Sequence, residues 1–422
     1  MRFVKSSRII SCSLVFSLSA CGGTDKAPAL EGDEGGKVSS AADAGATGEA
    51  APAPPPPAYV FSTSVQDGDG YHIYVRALSK LEGEVTLDKA LELPSGTSVF
   101  SALGAVFIAN PEDLTLTRYE LAPEDLLVQS KRLSVAAAGV TGFSTRPFFI
   151  NAETAYYVDA PSQQIIVWNP STMEITKVVP LLDLSRNGLE GTLHGYDAPS
   201  AWLLKERGIL YMPVTWADSD TLKAEKLVAL LAISATDPTD QKLYVSDCAA
   251  ISDEGMLLGA DGNIYLAGTN QFTFFRQYGD APESAIAKFD LETRSFDPGY
   301  CQKIPALTGG LEGGTLIAFA PGEFVLRAVD KGLVKFGDTG TFWDDIEYGC
   351  RIYYGKIDAS GRLEVREEPK LSTAPNYCWG WVYKVDGTPY FWGEDTMFKW
   401  DGANMVPMFK APGVATELER VR

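Results

Sequence analysis

The sequence predicts an all-β fold, a single β-propeller of seven blades, and two observations carry that prediction. The first is composition: 40 Gly and 25 Pro among 422 residues indicate many turns and short strands, and 45% hydrophobic content supports a large core. The second is a unit of one turn residue and one short β-rich strand, which recurs seven times at a spacing of about 45 to 65 residues. That period is typical of propeller blades with extended loops. One miscounted unit would change seven blades to six or eight.

Each recurring strand is short and rich in β-branched, aromatic or aliphatic residues. The seven units begin at Ala58, Gly104, Thr154, Gly208, Gly262, Gly322 and Gly387. The third copy also shows the next strands clearly, because Gln164–Trp168 and Met173–Val179 flank the turn Asn169–Thr172. The competing fold, two β-sandwiches, would need a linker in mid-chain, and the sequence shows none.

The C-terminal segment is expected to close the first blade. The later copies follow apolar segments suited to an innermost strand, such as Arg146–Ile150 and Gly314–Phe319. The first copy follows only a proline-rich stretch, so the tail Gly413–Leu418 is expected to supply its missing strand. Joining both chain ends in one blade would keep the ring from opening.

The N-terminus predicts a processing signal and a lipid anchor. Three cations precede a short apolar run that ends at Ala20, too short to span a bilayer as a mature helix. The segment Leu18–Cys21 resembles a bacterial lipobox, which implies cleavage after residue 20 and lipidation of Cys21. Loss of the three signal cations takes 36 basic residues to 33 against 55 acidic ones, a net charge of −22. Gly22 after the cysteine resembles lipoproteins sent to the outer membrane of Gram-negative bacteria.

Residues 21–58 are expected to form the anchor and a disordered tether. The stretch is rich in Ala, Gly, Ser, Pro and acidic residues and ends in four prolines, 54–57. Such a composition cannot bury enough apolar surface to offset the entropy of ordering the chain. The expected organisation is therefore a signal peptide (1–20), an anchored tether (21–58) and a propeller (59–422).

Four cysteines remain after the signal and the anchor, and they fit an oxidising compartment. Cys248 and Cys301 lie about one blade period apart, so neighbouring blades could bring them together. Cys350 and Cys378 lie in consecutive aromatic-rich segments. Disulfides 248–301 and 350–378 are the pairing we expect among the three that four cysteines allow.

Charge and motifs narrow the function. A net charge of −19 argues against nucleic acid or an anionic membrane surface as the main partner, so membrane contact is expected through the lipid anchor only. Two histidines and no compact Cys-x-x-Cys spacing argue against a metal site. Nucleophile-elbow, zinc-protease, P-loop and dinucleotide motifs are not found. We therefore expect no catalytic residue, no enzyme and no cofactor, with iron only as part of a bound complex.

Two further motifs have structural interpretations. His72 lies in an alternating strand and is expected to be structural. The segment Asp67–Gly70 imitates the start of a calcium loop but lacks the later ligands, so it is expected to be a hairpin turn.

Aromatic and cationic residues near predicted strand ends are the candidate ligand-binding set, because rings beside cations suit an anionic aromatic small molecule. The set is Arg146, His194, Trp202, Trp216, Arg276, Arg327, Trp379 and Trp381. The alternative is that these rings pack between blades, where propellers bury many aromatic side chains.

The lipobox, the Ala/Pro tether and the segment from Phe149 to Ile175 resemble the bacterial lipoprotein propellers found beside siderophore and TonB-dependent uptake systems, the MxcI-type proteins. The resemblance implies an accessory that binds a ferric siderophore or assists its uptake, with a TonB-dependent receptor as a partner.

Three classes of function follow. The first is an envelope lipoprotein that binds a small ligand, a ferric siderophore or metal complex, as an accessory to uptake. The second is an envelope protein–protein interaction scaffold, since propeller faces bind partners readily. The third is a propeller enzyme of the lyase or lactonase type. Most such enzymes would need histidine or carboxylate clusters around the axis, and the chain has only two histidines.

Overall fold

The structure is a computed structural model that describes residues 58–68, 70–143, 146–189, 192–193, 202–204, 208–218, 223–248, 255–267, 283–334, 348–373, 376–378 and 382–422. Seven small antiparallel sheets form a ring, a seven-bladed β-propeller, which confirms the predicted fold class. We number the blades by the chain order of their second strands, the seven strands that the sequence predicts. Residues 1–57, with the predicted signal, Cys21 and nearly all of the tether, lie outside the described residues.

The strands are given from the propeller axis outward, and each sheet is antiparallel between its successive blade strands. Blade 1 contains Val414–Arg420, Tyr59–Asp67, Gly70–Leu78 and Leu91–Pro94. Blade 2 contains Ser98–Ala102, Ala105–Asn110, Thr115–Ala122 and Leu126–Ser134. Blade 3 contains Phe148–Phe149, Ala155–Asp159, Gln164–Asn169 and Glu174–Pro180. Blade 4 contains Thr192–Leu193 and Trp202–Leu204, which share one partner, then Ile209–Thr215, Val228–Ser234 and Gln241–Ser246.

The remaining blades follow the same order. Blade 5 contains Gly255–Leu258, Ile264–Ala267, Ala285–Asp290 and Ser295–Lys303. Blade 6 contains Glu312–Ala320, Glu323–Val329, Cys350–Ile357 and Leu363–Glu367. Blade 7 contains Val382–Val385, Thr388–Gly393, Thr396–Trp400 and Met405–Lys410, and Gly83–Glu84 adds to its rim in parallel.

Few other elements occur in the described part of the chain. They are the hairpin Ala217–Asp218 with Lys223–Ala224, the 3₁₀ turns Pro123–Asp125 and Ala136–Ala138, and the helical turn Ile304–Leu307. No described helix combines the length and the apolar character needed to cross a membrane.

The two ends of the described chain meet in blade 1. Val414–Arg420 is the innermost strand of that blade and pairs antiparallel with Tyr59–Asp67. The predicted closure by the C-terminal segment is therefore confirmed. Because this ladder joins the first and the last described strands, the ring is held shut by hydrogen bonds rather than by a covalent link.

Burial explains the apolar runs that marked the second strands. All five residues of Ala155–Asp159 are buried, since both faces of a second strand contact side chains of the adjoining blades. The outer strand Glu174–Pro180 is largely exposed and carries polar side chains. The core is accordingly a series of apolar layers between blades, and the sequence signal is strongest in the strands that two layers share.

Both predicted disulfides are confirmed. Cys248, just beyond the outer strand of blade 4, is bonded to Cys301 in the outer strand of blade 5. Cys350, at the start of the third strand of blade 6, is bonded to Cys378, which precedes the inner strand of blade 7. Each bond therefore joins two neighbouring blades.

The hairpin and histidine predictions are confirmed as well. Asp67 pairs with Gly70 across a tight turn, so this segment joins two strands of blade 1. His72 lies in the strand Gly70–Leu78, and its Nδ1 is 3.1 Å from a carboxylate oxygen of Glu92 on the outer strand.

Candidate functional site on the propeller axis

Charged side chains meet where the inner strands of blades 1 to 3 converge. Glu417 and Glu419 belong to the C-terminal inner strand of blade 1, and Arg146 lies two residues before the inner strand of blade 3. Residues two apart on a strand point to the same face, which explains why the two carboxylates lie together. We call Arg146, Glu417 and Glu419 the axial cluster.

The guanidinium of Arg146 joins the three blades. Its Nη1 is 3.0 Å from Oε1 of Glu419, and its Nη2 contacts Oε2 of Glu417. Nη2 also donates to the carbonyl oxygen of Val99, in the inner strand of blade 2, at 3.0 Å. Oε2 of Glu419 accepts from the backbone N–H of Ser101 in that same strand. The axial cluster therefore also ties down the inner edge of blade 2.

An aromatic ring lies beside the charge. The guanidinium carbon of Arg146 is 5.8 Å from the centre of the Phe100 ring, within the range of a cation–π contact. Phe100 stacks on Phe107 at 6.1 Å, and Phe107 packs against Phe149 at 4.7 Å. These rings form an apolar wall beside the ion pairs, so the charges of the axial cluster interact through a medium of low dielectric constant.

Burial makes the axial cluster costly. Arg146 is 5% exposed, Glu417 1% and Glu419 7%. Moving an ion out of water costs on the order of several kcal/mol. Only good geometry and added hydrogen bonds offset that cost. Two carboxylates face one guanidinium in these ion pairs. The carboxylate oxygens accept hydrogen bonds and the guanidinium donates them, so the axial cluster offers both kinds of group to a polar ligand.

Other predicted site residues are packed elsewhere. Arg327, in the second strand of blade 6, is 5% exposed and donates from Nη1 to the carbonyl oxygen of Cys378 at 3.2 Å. Trp216 is 2% exposed, and its indole N–H donates to the carbonyl oxygen of Leu184 at 2.6 Å. Trp202 begins a strand that pairs with the second strand of blade 4. The structure thus does not gather Arg146, Arg327 and Trp216 in one site.

The rest of the predicted ligand set is His194, Arg276, Trp379 and Trp381, and these residues lie outside the described residues. Among the described residues, no group of three or more His, Cys, Asp and Glu side chains is arranged to hold a metal ion.

Glu417 and Glu419 were not among the predicted site residues. A usable signal was present, because Glu417 stands in the segment Gly413–Leu418 that was expected to close the ring, and Glu419 follows two residues later. Acidic residues sharing one face of an inner strand call for a buried cation, and Arg146 is that cation.

A second polar cluster lies between blades 5 and 6. Oδ2 of Asp261 accepts from the hydroxyl of Tyr265 at 2.9 Å and from Nδ2 of Asn263 at 2.8 Å, and it lies 3.0 Å from Nζ of Lys288. Burial raises the pKa of Asp261, but these hydrogen bonds outweigh burial and hold the pKa below its usual range. Burial and the bond to Asp261 raise the pKa of Tyr265, so the phenol remains a donor.

Comparison with known proteins supports the fold. No protein-family model matches the sequence, and no match is found among curated proteins. A solved structure from Bacteroides fragilis, described as a candidate 6-phosphogluconolactonase, is 10% identical and has a TM-score of 0.51 over 87% of this chain and 98% of its own. A likeness at that identity shows that the two proteins share a fold.

Two looser likenesses involve other bacterial proteins. The periplasmic gluconolactonase of Pseudomonas aeruginosa is 12% identical, with a TM-score of 0.49 over 87% of this chain and 99% of its own. AztD of Citrobacter koseri is 10% identical, with a TM-score of 0.39 over 86% of this chain and 98% of its own. These two superpositions are too loose to bear on function.

The expectation that this protein is not an enzyme is corrected by the first comparison. It rested on the lack of familiar catalytic motifs and on the scarcity of histidine. This chain shares its fold with a protein described as a candidate lactonase, so the lack of those motifs does not exclude an enzyme. The chain is a seven-bladed propeller similar in fold to that Bacteroides protein.

Proposed function

We propose that this protein binds a small molecule at the axial end of its propeller, in the cell envelope, and assists the uptake of that molecule. One observation carries the proposal: the buried ion pairs of Arg146 with Glu417 and Glu419 on the axis. Apolar side chains of similar volume often fill such a position at equal or lower cost in stability. Buried charge is concentrated at functional sites more often than elsewhere, and the axial end of a propeller is a natural place for a ligand.

Charge selects among ligands. The net charge of the chain, −19, disfavours a strongly anionic ligand. Ferric tris-catecholate complexes are strongly anionic, whereas ferric tris-hydroxamate complexes are neutral. Within the ferric siderophore class that the resemblance implies, we therefore propose the hydroxamate type as the ligand.

The N-terminus and the disulfides support a location in the cell envelope. The segment Leu18–Cys21 supports a lipid anchor, and the tether supports a propeller held away from the membrane surface. Two disulfides between blades support an oxidising compartment. We propose an outer-membrane lipoprotein of the MxcI type that works beside a TonB-dependent receptor.

Binding is tested by tryptophan-fluorescence titration of residues 58–422 with ferric hydroxamate and ferric catecholate complexes, corrected for inner-filter absorption. We expect saturable quenching by a hydroxamate complex with a Kd below about 100 μM, roughly −5.5 kcal/mol. Arg146→Lys keeps the charge but loses the planar fork of the guanidinium, so it should weaken that binding. The matched control is Arg420→Lys, in an exposed ion pair with Asp386, which should bind as the wild type does. Lack of saturable quenching by every complex would contradict the proposal.

Enzymatic activity is measured on the same material. The description of the Bacteroides protein makes lactone hydrolysis the reaction to assay, with 6-phosphogluconolactone and gluconolactone as substrates. Turnover that Arg146→Lys abolishes and Arg420→Lys preserves would make the axial cluster part of an active site.

The anchor has a separate test. Cys21→Ser removes the thiol that lipidation requires, and two or three acyl chains give stable membrane binding where one gives marginal binding. We expect the serine variant to leave the membrane fraction. Retention of the variant in carbonate-washed membranes would contradict the lipobox interpretation.

A further inference from the structure

A groove lies at the outer rim of the ring, between blades 4 and 5. Its walls are the outer strands Gln241–Ser246 and Ser295–Lys303, and the open space between them has a volume of about 370 Å³. A cavity of that volume suits a small molecule. The groove is built from the outermost strands, whereas the axial cluster is built from the innermost ones, so the two are separate sites.

Aromatic side chains form the inside of the groove. Tyr244 lies 5.0 Å from Phe289, and Phe296 lies 5.2 Å from it, both in edge-to-face contact. Phe289 is fully buried, so it holds both rings in place. Tyr244 and Phe296 themselves line the cavity and are only partly buried.

The groove carries negative charge at its mouth. Asp247 lines the cavity and is exposed, and no lining residue among those described is cationic. Nζ of the exposed Lys242 lies 4.5 Å from the centre of the Tyr244 ring, so a ligand ammonium group that binds this ring takes the place of the lysine. An aromatic face beside a carboxylate is the arrangement that recognises ammonium ligands.

The width of the groove is fixed by a covalent bond. Cys248 directly follows Asp247, and its partner Cys301 belongs to the same strand as Phe296. The disulfide therefore holds one end of both walls at a set separation. A preformed site loses little entropy when a ligand enters it.

We propose that this groove binds a small organic cation with an alkylammonium group. The ammonium group contacts Tyr244 and Phe296 and pairs with Asp247, while Ser295 and Pro298 border the opening. This inference does not depend on the axial proposal, because it rests on other residues and on a ligand of different chemistry.

The test compares choline with its neutral carbon analogue, 3,3-dimethylbutan-1-ol, by ligand-observed saturation-transfer NMR on residues 58–422. We expect saturable binding of choline and at least about fivefold weaker binding of the neutral analogue, because cation–π and ion-pair contacts are lost. Equal binding of the two would overturn the proposal, since the groove would then recognise apolar shape alone.

A matched pair of variants locates the site. Asp247→Asn and Asp240→Asn remove the same charge at exposed positions that flank the two ends of one outer strand. We expect Asp247→Asn to weaken choline binding about fivefold and Asp240→Asn to leave it unchanged. Equal losses in the two variants would indicate attraction by the general negative charge and would overturn the proposal.

The aromatic contribution is tested by Phe296→Leu, with folding checked by circular dichroism. We expect at least about threefold weaker choline binding, and unchanged binding in the folded variant would overturn the aromatic part of the proposal. If the variant does not fold, the exposed Asp247→Asn still decides the result. Choline binding should also persist when a ferric hydroxamate complex is present at a saturating concentration, because the groove and the axial site are separate. Competition between choline and the ferric complex would overturn the independence of the two sites.

Discussion

Single buried charges organise the axis of this propeller. Arg146 could be named from the sequence as a cation near a strand end, but its partners could not, because Glu417 is 271 residues away. Ion pairs between remote strands depend on how the ring closes, and local patterns carry no information on that. The expected role of Arg146 in ligand binding stays a prediction. A ligand that contacts Arg146 would share its guanidinium with the carboxylates of Glu417 and Glu419.

The axial cluster predicts a strong effect on stability. Arg146→Gln leaves Glu417 and Glu419 buried without their guanidinium, so we expect a loss of about 3–5 kcal/mol in the free energy of unfolding. The matched control Arg420→Gln breaks an exposed pair with Asp386 and should cost about 0–1 kcal/mol. Urea unfolding followed by fluorescence measures both. Equal losses would show that burial of the axial cluster has no energetic consequence.

The second polar cluster predicts a dependence on pH. The folded-state pKa of Asp261 lies below its unfolded value, so its contribution to stability is complete above the unfolded pKa of about 3.9. That contribution is lost as the pH falls through the lower folded pKa. We expect the Tm of Asp261→Asn to fall less between pH 5 and pH 3 than that of the wild type (pH values approximate). Parallel Tm–pH curves for the two proteins would contradict this.

Strands were the best-predicted elements. All seven second strands begin within two residues of the predicted units, because burial on both faces leaves an unbroken apolar run. The inner strands were harder to locate, since some are only two residues long and one is divided into two pieces. Short inner strands depend on their neighbours in the ring, and two residues are too few to show a period.

Turns of the same type differ in their surroundings. Gly322 and Gly387 both occupy the turn between the inner and second strands of a blade, with φ of +74° and +72°. A Cβ on Gly322 would lie 2.3 Å from the carbonyl oxygen of Ile357, whereas a Cβ on Gly387 would meet nothing within 4 Å. The N–H of Gly322 also donates to the carbonyl oxygen of Leu258 in blade 5, so the backbones of the two blades approach closely there.

This pair of glycines gives a matched experiment. Both Gly→Ala variants incur the strain of a left-handed backbone, about 1–2 kcal/mol. Gly322→Ala should cost a further 1–3 kcal/mol or so, because the methyl group meets the carbonyl oxygen of Ile357 in the same blade and the amide nitrogen of Ala260 across the seam with blade 5. Denaturant unfolding of the two variants measures the difference. Equal costs would mean that the seam yields freely.

At the scale of the whole molecule, closure of the ring could be predicted because the count of strands left the first blade one strand short. The C-terminal strand supplies both a hydrogen-bond ladder and two of the three axial charges. The location of the axial cluster could not be predicted, since it requires three blades in their final positions.

Deletion of residues 413–422 therefore should abolish cooperative folding. The deletion removes the inner strand of blade 1, exposes the ladder edge of Tyr59–Asp67 and leaves Arg146 without carboxylate partners in that strand. Calorimetry should show no sharp transition for this variant. Deletion of residues 1–57 is the control, and its Tm should match that of the unmodified propeller. A sharp transition near the original Tm after the C-terminal deletion would contradict the closure argument.

The position of the strand Tyr59–Asp67 has a mechanical consequence. It lies between two antiparallel partners, Val414–Arg420 and Gly70–Leu78, and the predicted tether would enter the fold at its first residues. Tension along the direction of this strand loads both ladders in shear, so their hydrogen bonds bear the force together. A strand at the rim of a blade would instead be peeled away, one hydrogen bond after another. Resistance to forced unfolding is set by the unfolding rate, which shear loading keeps low. The proposed anchor at Cys21 would thus pull on a strand that is hydrogen-bonded along both of its edges.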